Sequence, residues 1–250
     1  MTISLVQCAA PTSGIDTTLK GIEELVGQGT GADIYVLPEM FATGQCIDNM
    51  ELAQNMDGQI PNWMKKMSAR LDAAVAGSVL ICSSEKYYNR FCFVLPDGNI
   101  LTYDKRHLFS YAGENRLITA GADRLIFQFR GIRILPQVCY DLRFPVFSRN
   151  RDDYDIALYV ANWPVKRQLS WDILLRARAI ENQAYVAGVN IVGQDKFGMY
   201  EGHTALISPY GEDVVRAEDG KPQIITGVLD MEHLAHFRSK FPVLNDADIN

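Results

Sequence analysis

Long apolar runs, a basic surplus and a cysteine framework are all missing from this sequence, and each absence removes a class of protein. The longest stretch without a charged residue, Met1 to Ile15, contains Pro11, Ser4, Ser13, Thr2 and Thr12. It is too short and too polar for a membrane helix, which needs about 20 apolar residues. It also lacks the basic start of a secretory signal, so the chain is expected to stay where it is made. Acidic side chains outnumber basic ones, 30 to 24, for a formal charge of −6, which gives no electrostatic reason to expect nucleic acid or an anionic membrane as a partner. The five cysteines, Cys8, Cys46, Cys82, Cys92 and Cys139, are odd in number and scattered, with no CxxC pair. That argues against a disulfide framework or a zinc ribbon and fits the reducing cytoplasm. No glycine-rich phosphate loop is present, because Gly27-Gln28-Gly29-Thr30-Gly31 lacks the preceding strand and following helix that a nucleotide fingerprint requires.

What is there is ordinary globular composition, 48% hydrophobic and 22% charged, with enough length to bury a large core without staples. No repeat, low-complexity tract or linker interrupts it, so residues 1–250 read as one domain. Apolar segments bounded by Gly, Pro, Asp or Asn predict strands at Ile3–Cys8, Ile34–Leu37, Val75–Cys82, Phe91–Leu95, Ile100–Tyr103 and Leu125–Phe129. Further ones follow at Ile132–Cys139, Ile156–Ala161, Tyr185–Ile191, Thr204–Ile207 and Ile224–Leu229. Asp97-Gly98 signals a hairpin and Tyr210-Gly211 a turn. Leu169, Ile173, Ala177 and Ile180 recur at helical spacing opposite Arg176, Arg178 and Gln183, which predicts an amphipathic helix over Ser170–Asn182. Thr17–Val26 and Trp63–Ala74 are weaker helical segments. Hairpins mixed with helical crossovers predict an α/β protein with a mixed sheet, or two sheets, and helices outside.

Three segments place a reactive residue at or just past a strand end, where sheet proteins assemble their sites. They are Val36-Leu37-Pro38-Glu39-Met40-Phe41, Thr102-Tyr103-Asp104-Lys105-Arg106-His107-Leu108-Phe109, and Ile134-Leu135-Pro136-Gln137-Val138-Cys139-Tyr140-Asp141-Leu142-Arg143-Phe144-Pro145. Singly, Glu39 reads as a loop carboxylate, Lys105 as a solvated charge and Cys139 as an inert core thiol. Together, in this order, they resemble the Glu, Lys and Cys motifs of the nitrilase (carbon–nitrogen hydrolase) superfamily. The resemblance runs along nearly the whole chain, through Ala161-Asn162-Trp163-Pro164, Arg176-Ala177-Arg178-Ala179-Ile180-Glu181-Asn182 and Gly202-His203-Thr204 to Ser208-Pro209-Tyr210-Gly211. The Lys105 and Cys139 motifs and the tail after Phe241-Pro242 look most like the omega-amidase branch.

The resemblance implies a four-layer α-β-β-α sandwich. It further implies a homodimer or larger even oligomer paired through the helical layer, and hydrolysis of the terminal amide of 2-oxoglutaramate or 2-oxosuccinamate. The alternatives are a nitrilase, a carbamoyl-amide hydrolase, a deaminated-glutathione amidase or a catalytically silent scaffold.

An amide needs a nucleophile, a proton carrier and a stabiliser for the oxyanion. Cys139 fits the nucleophile and Glu39 the general base, while Lys105 and the backbone N–H of Tyr140 fit the oxyanion site. A nearby lysine also favours the thiolate. Glu114, in Tyr111-Ala112-Gly113-Glu114, resembles the family's second glutamate, which implies either a catalytic proton carrier or a group that orients the lysine. This set supplies the whole reaction, so no metal or organic cofactor is expected.

Phe41 and Tyr111, beside presumed catalytic residues, are expected pocket walls. Trp163 fits either the pocket or the core, and Arg143 either a substrate carboxylate or an internal acid such as Asp141 or Glu181. Lys166-Arg167 reads as an exposed pair. His233 and His236, without ligand partners at metal spacing, read as a solvated helix face.

Overall fold

The structure is a computed structural model that describes residues 1–46 and 49–247. The last three residues of the tail after Pro242 therefore lie outside the described part. In chain order the first half runs β1 (Thr2–Gln7), α1 (Ile15–Val26), β2 (Ile34–Val36), α2 (Gln59–Leu71), β3 (Ala74–Ser83), β4 (Lys86–Val94), β5 (Ile100–Asp104) and β6 (Phe127–Phe129). The second half runs β7 (Ile132–Val138), α3 (Pro145–Ser148), β8 (Ile156–Ala161), α4 (Gln168–Asn182) and β9 (Tyr185–Asn190). It ends with β10 (Val192–Asp195), β11 (Gly198–Glu201), β12 (Ala205–Ile207), β13 (Asp213–Arg216), β14 (Gln223–Val228) and α5 (Met231–Lys240).

Two six-stranded mixed sheets form, ordered β14-β1-β2-β3-β4-β5 and β13-β12-β9-β8-β7-β6. Each has parallel strands at its centre, β1-β2-β3 in one and β7-β8-β9 in the other, flanked by antiparallel neighbours. The period-two pattern explains the layering. Ile3, Leu5, Ile34 and Val36 point into the core shared with Ile134, Ile156 and Leu158 of the other sheet. Val6, Tyr35 and Leu37 instead pack with Leu19 and Ile22 of α1 and Met64 of α2. The four-layer sandwich implied by the sequence is therefore the observed arrangement.

One helix turns the other way from its sequence reading. The buried face of α4 is Trp171, Leu175, Arg178, Ala179 and Asn182, whereas Leu169, Ile173 and Ile180 are 74%, 55% and 55% exposed. α4 carries two apolar stripes, and the one with Trp171 and Leu175 wins because Gly188 of β9 leaves room for it. A Cβ at Gly188 would lie 2.4 Å from Leu175 Cδ1. Arg178, expected on the polar side, is buried and donates to Leu142 O at 2.6 Å.

The β10–β11 hairpin and strand β13 were not foreseen, and β4 starts well before Phe91, at Lys86. Polar residues such as Gln194, Asp195 and Glu201 hide the alternation there. His233 and His236 are exposed on α5, as the sequence suggested.

Candidate active site

Glu39, Lys105 and Cys139 each follow a strand, β2, β5 and β7 respectively, and the backbone around each is pinned. Met40, just after Glu39, is left-handed at φ 43°, and its N–H donates to Ser78 Oγ at 2.9 Å. Lys105 donates its N–H to Asn89 O and accepts from Gly121 N, both at 3.0 Å. Gly121 cannot be larger, because a Cβ there would sit 2.1 Å from Asp104 O. Cys139 is also left-handed, φ 48°, a strained conformation for a side chain other than glycine.

That strain is held by Asp141, which is fully buried. Its Oδ2 accepts from Val138 N at 3.0 Å and Tyr103 Oη at 2.9 Å, and its Oδ1 from His107 N at 2.9 Å. One carboxylate thus ties the turn bearing Cys139 to the segment bearing Lys105.

The side chains converge. Lys105 Nζ lies 2.9 Å from Glu39 Oε1 and 3.0 Å from both oxygens of Glu114. Lys105, Glu39 and Glu114 are 2%, 2% and 4% exposed, and Cys139 8%. Buried charges need further partners, and these carboxylates have them. Asn162 N donates to Glu39 Oε2 at 2.9 Å, Asn89 Nδ2 to Glu39 Oε1 at 2.8 Å, and Phe109 N to Glu114 Oε2 at 2.6 Å.

Burial works against the Lys105 ammonium, but Glu114 and Glu39 outweigh it and hold its pKa well above the usual lysine value. Burial, then the charge of Glu39 and a hydrogen bond to it, push the Cys139 thiol well above its ordinary pKa, with Lys105 opposing them. Lys105 therefore favours the thiolate as expected, but burial and the two carboxylates that accompany that one cation outweigh it. Burial also pushes Cys8 and Cys92 up to about 12.

Tyr140 is the second residue of a 3-10 turn, Cys139–Arg143, whose first N–H groups have no carbonyl partner within the turn. The other sequence-derived contacts fare unevenly. Tyr111 lines a cavity of about 430 Å³ beside the site. Phe41 does not line it: it is fully buried in the core and packs on Trp63 at 5.8 Å, because Met40 turns the chain inward. Trp163 is 2% exposed and packs on Trp171, so it is a core residue. Arg143 pairs with neither Asp141 nor Glu181. It donates to Ser170 Oγ at 3.0 Å and its guanidinium lies over Trp163, while His107 holds Asp141 and Arg178 holds Glu181.

Sequence reasoning missed Asn89, whose place inside a strand carries no signal. It quoted Asn162 only as part of a motif, and it set Lys166 and Arg167 aside as surface charge. Lys166 is exposed, as that reading had it, and Arg167 is half-buried; both line the cavity, along with Asn162, Phe109 and residues of β11. A smaller recess bounded by Glu39, Glu114 and Met40 shares Gln45, Phe109 and Ala112 with it, so the cavity adjoins the charged cluster. Among the described residues, no group of three or more His, Cys, Asp or Glu could hold a metal ion.

Residues 2–239 match the family described as carbon–nitrogen hydrolase. The chain belongs to the carbon–nitrogen hydrolase family. It is an enzyme of that family, and relatives match it over most of their length. Omega-amidase YafV of Yersinia enterocolitica is 45% identical, covering 99% of this chain and 97% of that protein. The 2-oxoglutaramate amidase of Bacillus subtilis is 34% identical, over 86% of this chain and 85% of that protein. Among solved structures, a CN-hydrolase superfamily protein of Xanthomonas campestris, with an arsenic adduct in its active site, superposes with a TM-score of 0.96. It is 39% identical and covers 100% of this hydrolase and 98% of its own chain.

Proposed function

We propose that this hydrolase is an omega-amidase, cutting the terminal amide of open-chain 2-oxoglutaramate or 2-oxosuccinamate to the 2-oxo acid and ammonia. The full-length likeness to omega-amidase YafV carries this reading, and the buried Glu39–Lys105–Glu114 cluster beside Cys139 supports it. Cys139 Sγ attacks the amide carbonyl while its proton passes to Glu39. The Lys105 ammonium and Tyr140 N–H receive the oxyanion. Collapse of the tetrahedral intermediate breaks the C–N bond, with Glu39 returning the proton to the departing ammonia, and leaves a thioester. Water deprotonated by Glu39 then cleaves the thioester and restores the thiol. Glu114 keeps Lys105 oriented throughout, and no step calls on a metal or organic cofactor. The enzyme acts in the cytoplasm as a homodimer or larger even oligomer, supported by the exposed Leu169, Ile173 and Ile180 stripe on α4.

The test is ammonia release over acid amide, neutral amide of equal length, acid nitrile and carbamoyl compounds at one pH. The acid amide is expected to exceed the neutral amide at least tenfold in kcat/KM, the scale of one charge-assisted hydrogen bond. Equal rates would remove the acid preference, and faster nitrile turnover would move the enzyme to another branch.

Iodoacetamide treatment with peptide mapping tests the nucleophile. Half-buried Cys82 is open to modification without loss of activity, whereas loss is expected to track Cys139 alone. Loss in step with Cys8, Cys46, Cys82 or Cys92 would overturn its role.

A further inference from the structure

The wall of the cavity next to Glu39 contains two cations, Lys166 and Arg167, and no carboxylate. Among the described residues neither cation has an ion-pair partner, although nearly every other arginine with a part-buried side chain here makes one or binds a carbonyl. The Arg167 guanidinium lies over Phe109, 5.0 Å from the ring centroid, on the wall shared with the recess that holds Glu39 and Glu114.

Its backbone is held at the junction between a 3-10 turn, Val165–Arg167, and the start of α4. Arg167 O accepts from Trp163 Nε1 at 2.9 Å and from Ser170 Oγ at 2.7 Å, and Ser170 Oγ in turn receives Arg143 Nη2 at 3.0 Å. Between Arg167 and the charged cluster stands Asn162, 2% exposed and in the cavity wall, with neither Oδ1 nor Nδ2 hydrogen-bonded. A buried carboxamide left without partners is costly, and a polar ligand reaching past it toward Glu39 would satisfy it.

We propose that Arg167 is the residue that selects the substrate, receiving the carboxylate at the end remote from the scissile amide. Asn162 contacts the polar groups between the two ends. Arg143, Trp163 and Ser170, two of them expected from sequence to touch substrate or fill the core, act as positioning residues that fix the Arg167 backbone. The inference rests on the omega-amidase reading and names the group that would enforce its acid preference. A planar guanidinium suits this task because it grips a carboxylate with two parallel hydrogen bonds.

Arg167→Gln keeps the backbone carbonyl and its two donors, so the loop should survive the change. With 2-oxoglutaramate it is expected to lose roughly 10–150-fold in kcat/KM, the equivalent of one charge-assisted hydrogen bond. The loss should fall mainly on KM, because the carboxylate is remote from the reacting bond. Pentanamide, with the same carbon count and no charge, should change by less than about twofold, and Arg167→Lys should recover part of the acid activity. Wild-type enzyme that treats the two amides alike would sink the omega-amidase reading and this inference with it. If the wild type prefers the acid amide and Arg167→Gln retains that preference, or loses both amides equally, the assignment to Arg167 is wrong while the omega-amidase reading stands.

Discussion

Glu39→Gln is expected to lower kcat by about 10²–10⁴ while leaving Cys139 at least as reactive toward iodoacetamide at neutral pH. The two halves of this result pull apart because Glu39 does two things at once. As the acceptor of the thiol proton and the donor to ammonia, it is needed in both chemical stages. As a buried negative charge beside the thiol, it holds the Cys139 pKa up, second only to burial itself. Glutamine removes the proton carrier and also removes that opposition, leaving Lys105 to favour the thiolate against Glu114 alone. Glutamine has a single acceptor oxygen, so it can keep the hydrogen bond from Asn89 Nδ2 or the one from Asn162 N but not both, and circular dichroism on the variant checks that the local fold survives the loss of one. Single-turnover kinetics and an alkylation time course on the same sample check both halves. Retention of more than about a tenth of wild-type kcat, or a fall in alkylation parallel to the fall in turnover, would refute the role.

The parts of this site that could be read in the sequence are those whose residue type is set by chemistry. A cysteine, a lysine and a glutamate at three strand ends are unusual enough together to stand out, and the structure brings Glu39 and Glu114 each within 3.0 Å of Lys105 Nζ. One strand pairing was likewise legible, since Asp97-Gly98 does join β4 to β5. What escaped was whatever depends on neighbours distant in the chain. Phe41 looked like a pocket wall because it follows Glu39, but the left-handed Met40 sends it into the core. α4 offers two apolar stripes, and only the glycine at position 188 on another element decides which one is buried. Arg167 looked like one half of an exposed basic pair. Its place over Phe109 follows from where the Lys105 loop passes, which no local pattern encodes.

Lys105→Ala is expected to cost on the order of 10²–10³ in kcat, the scale of a lost oxyanion donor. The variant also strips the cation from two buried carboxylates, Glu39 and Glu114, and breaking a buried pair costs about 3–5 kcal/mol. The catalytic loss must therefore be separated from unfolding. The Lys105→Met, Glu114→Gln double variant leaves only one of the two charges unpaired and should fold better than Lys105→Ala while remaining as inactive. Lys105→Arg keeps the charge but replaces a compact ammonium with a larger plane, and it should fail to restore turnover. The pH dependence supplies an independent check. The Lys105 pKa is raised in the folded protein, so its contribution to stability is complete below the unfolded-chain value of about 10.4 and fades only as pH climbs through the folded value. Melting temperatures and turnover should accordingly show no loss attributable to Lys105 up to about pH 10. A Lys105→Ala protein that is folded by circular dichroism and keeps more than about a tenth of wild-type kcat would show that the oxyanion is stabilised elsewhere.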